Sequence, residues 1–309
     1  MRAKALDSGR RRALLGVGAG LTLGPLTALA AGTALVKRAI PATGERVPVV
    51  GLGTWQAFDV AATGPDHDAA RAALTALLDG GGTVIDSSPM YGRAESVVGQ
   101  LLATGGLRQR LFIATKVWTR GKAEGVAQMR ESMARFGVEQ LDLMQVHNLL
   151  DAASHLETLA DWKREGRVRL LGITHYHAGA HRDLEAALVR TPVDVVQVNY
   201  SLAEPEAGQR LLGVCRDRGI AVIVNRPFAE GAMFARVRGS AVPAWAQQEL
   251  GCASWAQFFL KWILGDAAVT VAIPGTRNAR HVVDNLGAAR GAMPDARQRE
   301  RMRLGFAAL

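Results

Sequence analysis

Asp86 and Tyr91 in VIDSSPMYG, Lys116 in LFIATKV and His147 in LDLMQVH are the residues of this sequence whose types and placing could do chemistry. A carboxylate, a phenol, an ammonium and an imidazole are groups that hold and move protons. Each lies at or just past the C-terminal end of a short run rich in Val, Ile and Leu, and each run follows a segment that reads as helix or loop. If those runs are neighbouring strands of a parallel barrel, the four groups meet at one mouth, which is where barrel enzymes place their chemistry.

The elements that must position them repeat along the chain. Apolar runs occur near residues 49–53, 83–86, 111–117, 141–146, 170–174, 194–199, 220–225 and 269–274. Between them lie segments with helical spacing of apolar residues, such as HDAARAALTALLDGG, GVAQMRESMARFG, SHLETLADWKREG and AGQRLLGVCRDRG, which end in Gly as helix C-termini commonly do. Eight βα units closing on themselves imply an α/β fold of the (β/α)8 TIM barrel class. A doubly wound open sheet is the alternative, but its Gly-rich fingerprint is missing after the first strand. ALVKRAIPATGERVPVV reads as two short strands about a Pro/Gly turn, and residues 228–251 read as the longest irregular connection, of a size that is usually functional.

Composition permits one such domain: the 309 residues are 49% hydrophobic and 21% charged. Of the formal charge of +9, the first 30 residues carry +4 through Arg2, Lys4, Arg10, Arg11 and Arg12 against Asp7, leaving +5 scattered over the remainder. No basic run is interleaved with aromatics, so a nucleic-acid partner is not expected. GRRRALLGVGAGLTLGPLTALA joins a basic stretch to an apolar one and ends in small residues, as an export signal does, with cleavage expected near Ala30. Its Arg11-Arg12-Ala13-Leu14-Leu15 resembles the twin-arginine class, which implies export of a folded protein to the periplasm by the twin-arginine machinery. An uncleaved membrane anchor is the alternative, although residues 13–31 barely span about 30 Å of hydrocarbon. The organisation expected is a leader at 1–30 and one barrel domain at 31–309. Cys215 and Cys252 sit in apolar company and read as buried thiols rather than a disulfide. His175, His177 and His181 invite a metal reading, but no acidic or thiol partner stands beside them at a recognisable spacing, and no metal is expected.

The order strand-Asp-x4-Tyr-Gly, strand-Lys, strand-His resembles the aldo-keto reductase superfamily. The resemblance runs from VPVVGLGTW at 47–55 through LGITH at 171–175, VVQVNYSL at 195–202 and VIVNRPF at 222–228 to IPGTRNARHVVDN at 273–285. It implies a barrel whose bottom is plugged by the N-terminal hairpin, and an NAD(P)H-dependent oxidoreductase that reduces aldehydes, ketones or quinones by hydride transfer. Tyr91 is then the general acid. An unperturbed phenol has a pKa of about 10, and the Lys116 charge is expected to favour its ionised form. Asp86 pairs with Lys116, and His147 directs a hydrogen bond at the substrate oxygen.

The resemblance further implies cofactor contacts from Gly53, Thr54, Trp55 and Asp86 on one side and from Ile273, Gly275, Thr276 and Arg277 on the other, where IPGTR leads into a helix N-terminus suited to phosphate. Arg277 is assigned to the 2′-phosphate of NADPH, and Asn285 to the adenine; His281 stands where relatives often carry Arg, which leaves NADH the less favoured cofactor. Thr174 and His175 replace a common Ser-Asn pair that holds the nicotinamide carboxamide, with Gln197 as third partner. In VIVNRPF, Asn225 replaces a stacking aromatic, and Arg226, Pro227 and Phe228 follow it, Arg226 being placed to grip the pyrophosphate. Trp55, Met90, Trp118 and Phe228, with Tyr91 and His147, are expected to line an apolar substrate pocket. The sequence runs to GFAAL without the long C-terminal extension found in many relatives, from which a more open pocket is expected. The alternative function is an exported nicotinamide-binding redox sensor or partner-binding subunit with little turnover. The natural carbonyl or alcohol substrate and the oligomeric state are not legible.

Overall fold

The computed structural model describes residues 34–103 and 106–309. The leader and its arginine pair lie outside the described residues. Strands β3 (Leu52–Gly53), β4 (Val84–Asp86), β5 (Phe112–Val117), β6 (Leu141–His147), β7 (Val168–Thr174), β8 (Val195–Asn199), β9 (Ala221–Asn225) and β10 (Val269–Ala272) form one parallel sheet in chain order. The sheet closes on itself. Gly51 N–H donates to Ala272 O at 2.9 Å, Ala272 N–H donates to Val49 O at 2.9 Å and Gly53 N–H donates to Pro274 O at 3.1 Å, which joins the first strand to the last. The seam is tight enough that a Cβ on Gly53 would stand 2.8 Å from Ile273 O.

Two apolar layers account for the closure. Inside the barrel, Val84, Phe112, Ala114, Leu143, Leu170, Val195, Ala221, Ile223, Val271 and Ile273 fill the lower half. The alternate residues of the same strands, among them Ile85, Ile113, Met144, Val146, Ile173, Val196 and Val222, pack outward against the helices. Both faces are therefore buried, which is why these strands read as continuous apolar runs rather than as alternating ones. Below them, β1 (Lys37–Ala39) and β2 (Arg46–Pro48) form the antiparallel hairpin that the sequence suggests. Its Ile40 and Val47 join the barrel-interior layer, and the Arg38 guanidinium donates to the carbonyls of Leu264, Asp266 and Val269.

The helices α1 (Pro65–Asp79), α2 (Ala94–Leu102), α3 (Lys122–Phe136), α4 (Ala152–Arg164), α5 (His181–Arg190) and α6 (Leu211–Asp217) cross over between successive strands. At the end of α3 the C-cap Gly137 adopts φ 67°, the left-handed turn that a terminal glycine permits. Buried Glu95 on α2 accepts from Thr115 Oγ1 on β5 at 2.6 Å, and from Ser132 Oγ at 3.1 Å and Arg135 at 3.2 Å on α3. Burial raises its pKa, against the pull of those donors. This network pins the strand that carries Lys116.

The segment 228–251 is not irregular throughout: α7 (Ala232–Arg236) and α8 (Ala244–Leu250) occupy much of it. Met233 and Val237, and likewise Ala246 and Leu250, are spaced four apart and buried, so a helix is what lets this stretch cover the barrel. The chain continues through α9 (Trp255–Leu264), α10 (Ala279–Gly287) and α11 (Ala296–Ala307). None of the described helices is long and apolar enough to cross a membrane.

Candidate active site

Strand alternation delivers the polar groups to the barrel mouth. Val84, Ala114, Leu143, Val195 and Ile223 point into the barrel, so the residues two further on, Asp86, Lys116, Gln145, Gln197 and Asn225, point the same way one layer higher. His147 stands a further two residues along β6. All six are buried or, for Asn225, half-buried.

These groups are bonded to one another. Lys116 Nζ donates to Asp86 Oδ2 at 2.6 Å and to Ser87 O at 2.7 Å. Asp86 Oδ1 accepts from Gln197 Nε2 at 2.8 Å and from Gln145 Nε2 at 3.3 Å. Thr174 Oγ1 in turn donates to Gln197 Oε1 at 3.1 Å. Lys116 is wholly buried, and its ammonium is retained: burial works against the charge, but Asp86 and Tyr91 outweigh it and raise the pKa. Removing one partner of such a buried pair costs on the order of 3–5 kcal/mol.

Tyr91 follows on the turn after β4, with its backbone N–H donating to Ser88 O at 3.0 Å. Lys116 Nζ lies 5.1 Å from the centroid of its ring. Burial raises the phenol pKa and, with Asp86 adding to the rise, outweighs the lowering that the Lys116 charge exerts as expected. Tyr91 is accordingly held protonated. Edge-on to it, the His147 ring centroid is 6.0 Å away. Burial, reinforced by the Lys116 charge and by His175, pulls the His147 pKa down to about 2, so the imidazole is neutral. Its Nδ1 lies 3.1 Å from Ser88 Oγ.

Above these groups opens a cavity of about 1160 Å³. One end is walled by Gly53, Thr54, Trp55, Asp86, Tyr91 and His147, with Met90 and Trp118 beside them. Thr174, Gln197, Asn225, Arg226, Pro227 and Phe228 form the side. Ile273 and Gly275, which meet Gly53 across the seam, continue the wall to Thr276, Arg277, His281 and Asn285. His175 alone among the expected cofactor residues is not on the wall. Its Nδ1 accepts from Tyr176 N–H at 3.0 Å and its ring stacks on Tyr176, 5.3 Å between centroids; with Leu170 and Thr174 facing inward, alternation turns the next residue away from the cavity. Tyr176 takes that part of the wall.

Backbone strain gathers around the same opening. Gln56, Asn148, Arg226 and Glu230 all line the cavity with φ of 55°, 54°, 48° and 55°, conformations that non-glycine residues keep only where surrounding structure enforces them. The Arg226 guanidinium, expected to be open to a pyrophosphate, is held by Glu204 at 3.3 Å and Glu230 at 3.5 Å. Arg277 likewise has a partner, its Nε donating to Asp66 Oδ1 at 3.2 Å. At the start of α10 the N-cap Asn278 accepts from Arg280 N–H, and Thr276 Oγ1 lies 3.4 Å from His281 Nδ1.

The cavity can hold a dinucleotide. It reaches from the Tyr91 end to the N-terminus of α10, and three residues of its wall carry buried polar atoms without partners among the described residues: Asn148 Oδ1, Asn225 Oδ1 and Arg226 Nε. Such atoms are costly to leave unsatisfied. Of the nine large apolar side chains most exposed among the described residues, five stand at this opening, namely Trp55, Met90, Trp118, Tyr176 and Phe234, which suits an apolar ligand. Ser88, Asn148, Tyr176, Glu230 and Phe234 were not singled out from sequence. Tyr176 was the one with a signal, an aromatic directly after a strand end. Elsewhere, His181 Nε2 is bonded to Asn199 Oδ1 at 3.0 Å, and Cys215 and Cys252 are free and buried, their pKa values pushed up by burial to about 12 and about 11.

A closed parallel barrel with a Tyr-Lys-Asp-His cluster at its mouth, beside a nucleotide-sized cavity, defines a barrel oxidoreductase. The model of the aldo/keto reductase family matches residues 49–298, and the chain belongs to that family. It is 28% identical over 249 residues to the methylglyoxal reductase YeaE of Escherichia coli (strain K12), covering 77% of this chain and 84% of that one. It is 25% identical over 206 residues to the aldo-keto reductase YhdN of Bacillus subtilis (strain 168), covering 62% and 61%. An aldo-keto reductase of Klebsiella pneumoniae solved in complex with NADPH superposes with a TM-score of 0.72 at 28% identity, covering 88% of this chain and 96% of that one.

Proposed function

We propose that this protein reduces apolar aldehydes, ketones or quinones with NADPH, Tyr91 giving the proton to the carbonyl oxygen. The observation that carries the reading is the convergence of Tyr91, Lys116, Asp86 and His147 at a cavity that is also lined by the N-terminus of α10. Thr174 and Gln197 would hold the nicotinamide end, and Thr276, Arg277 and Asn285 the adenosine phosphate end. A bound NADPH supplies the hydride that the carbonyl carbon accepts. The chain's own residues handle the proton. Burial keeps the phenol of Tyr91 protonated until the substrate oxygen gains negative charge, and the Lys116 ammonium, anchored 2.6 Å from Asp86, then stabilises the phenolate left behind. His147, neutral, donates a hydrogen bond to the same oxygen. Trp55, Met90, Trp118 and Phe228 surround the rest of the substrate, and in the reverse direction Tyr91 is the base.

The test is NADPH consumption by the full chain over a panel of aldehydes, ketones and quinones, beside Tyr91→Phe. Turnover that falls at least about 100-fold in the variant supports the reductase and its acid. NADPH binding without turnover in either protein refutes it in favour of the redox-sensing subunit. The leader, in the same proposal, directs export by the twin-arginine route with cleavage near Ala30. Replacing Arg11 and Arg12 together by Lys should leave the protein in the cytoplasm; unchanged export, or export of an uncleaved membrane-bound chain, would count against it.

A further inference from the structure

The Ser88 hydroxyl is wholly buried and meets two groups among the described residues: the Met90 backbone N–H, which donates to it at 3.4 Å, and His147 Nδ1 at 3.1 Å. A hydroxyl has one proton to give. Met90 offers only a donor, and burial keeps water away, so the one acceptor for the Ser88 proton is Nδ1. A proton on Nδ1 instead would make the Ser88 oxygen the acceptor and leave the Ser88 O–H itself without one, which is costly in a buried site. Neutral imidazole carries one N–H. With Nδ1 accepting, that N–H is on Nε2, the nitrogen with no partner among the described residues, in a side chain that lines the cavity beside Tyr91.

We infer that Ser88 is a positioning residue for carbonyl reduction: by donating to Nδ1 it holds His147 in the Nε2–H tautomer, so that the imidazole presents a donor to the substrate oxygen. The inference rests on the function proposed above. The turn that carries Tyr91 thus serves the site four times, through the Asp86 carboxylate, the Ser87 carbonyl on Lys116, the Ser88 hydroxyl on His147 and the Tyr91 phenol. Acting through another side chain, Ser88 needs no contact with substrate.

The experiment records long-range imidazole 1H–15N spectra of the full chain, with the His147 signals assigned by their loss in His147→Gln, alongside steady-state kinetics. The parent should show a protonated Nε2 and an unprotonated Nδ1. In Ser88→Ala that pattern should give way to a mixture of tautomers, and kcat/KM for the carbonyl should fall about 10-fold, the size of one net hydrogen bond to a reacting oxygen, with NADPH affinity unchanged. Ser88→Thr, which keeps the hydroxyl, should restore both. An Nδ1–H tautomer in the parent, an unchanged tautomer in Ser88→Ala, or a rate loss in Ser88→Ala without a tautomer change would overturn the inference. If the parent reduces no carbonyl, the reductase reading fails, while the spectra still decide whether Ser88 sets the tautomer.

Discussion

Acidification should destabilise this fold through His147 in a way that can be isolated and sized. Its folded-state pKa is about 2 against an ordinary 6.5, because the ring is buried beside the Lys116 ammonium. The native protein therefore keeps the imidazole neutral while the unfolded chain protonates it below 6.5. A group depressed in this way contributes stability that is fully present above 6.5 and is lost as pH falls from 6.5 towards 2. Between pH 7 and pH 5 the loss from this one group is about 2 kcal/mol, and it grows by about 1.4 kcal/mol for each further unit down to pH 2. Other groups titrate too, so the informative quantity is a difference of differences. Urea unfolding of the parent and of His147→Gln at pH 7 and pH 5 gives it: the parent should lose about 2 kcal/mol more than the variant. Equal losses in the two proteins, or a His147 ring that titrates near 6.5 in the folded state, would refute the argument from burial and the Lys116 charge.

Two further outcomes follow from contacts outside that cluster. Arg277 is engaged by Asp66 across an exposed pair, so Asp66→Ala should tighten NADPH binding by freeing the guanidinium while Arg277→Ala weakens it, with NADH affected little by either; equilibrium titration of both nucleotides checks this, and equal effects on the two would rule out contact with the 2′-phosphate. Gly53→Ala would place a Cβ 2.8 Å from Ile273 O at the barrel seam, and should lower stability by about 1–3 kcal/mol in a denaturation experiment, a neutral outcome showing that the seam can open without cost.

What could be read in advance was set by backbone periodicity. A strand buried on both faces must be apolar at successive positions, so each appears as a run. A polar residue tolerated at the end of such a run marks the layer where the barrel opens. Asp86, Lys116 and His147 were legible for that reason, whereas Gln197, in mid-strand, and Asn225 were reached through the resemblance; all five are gathered at the mouth of the barrel. Carried past Thr174, the same alternation turns His175 away and brings Tyr176 to the wall. It stops informing beyond Asn225, where the left-handed conformations at Arg226, Ala229 and Glu230 carry none of the glycine punctuation that normally betrays them.

The second limit is partnership across the fold. Arg226 reads as a free cation until Glu204 and Glu230 are seen beside it, and Arg277 until Asp66, 211 residues away, is found on α1. Ser88 is the sharper case. In sequence it is one more small polar residue in a turn, and its chemical meaning arises only because β6 delivers His147 from 59 residues further on to within 3.1 Å of its hydroxyl. Periodicity identifies which groups face a site. The protonation state and tautomer in which they face it depend on side-chain partners that the βα loops bring together, so Tyr91 reads from sequence as a phenol made acidic by Lys116 and stands in the structure as one kept protonated by burial.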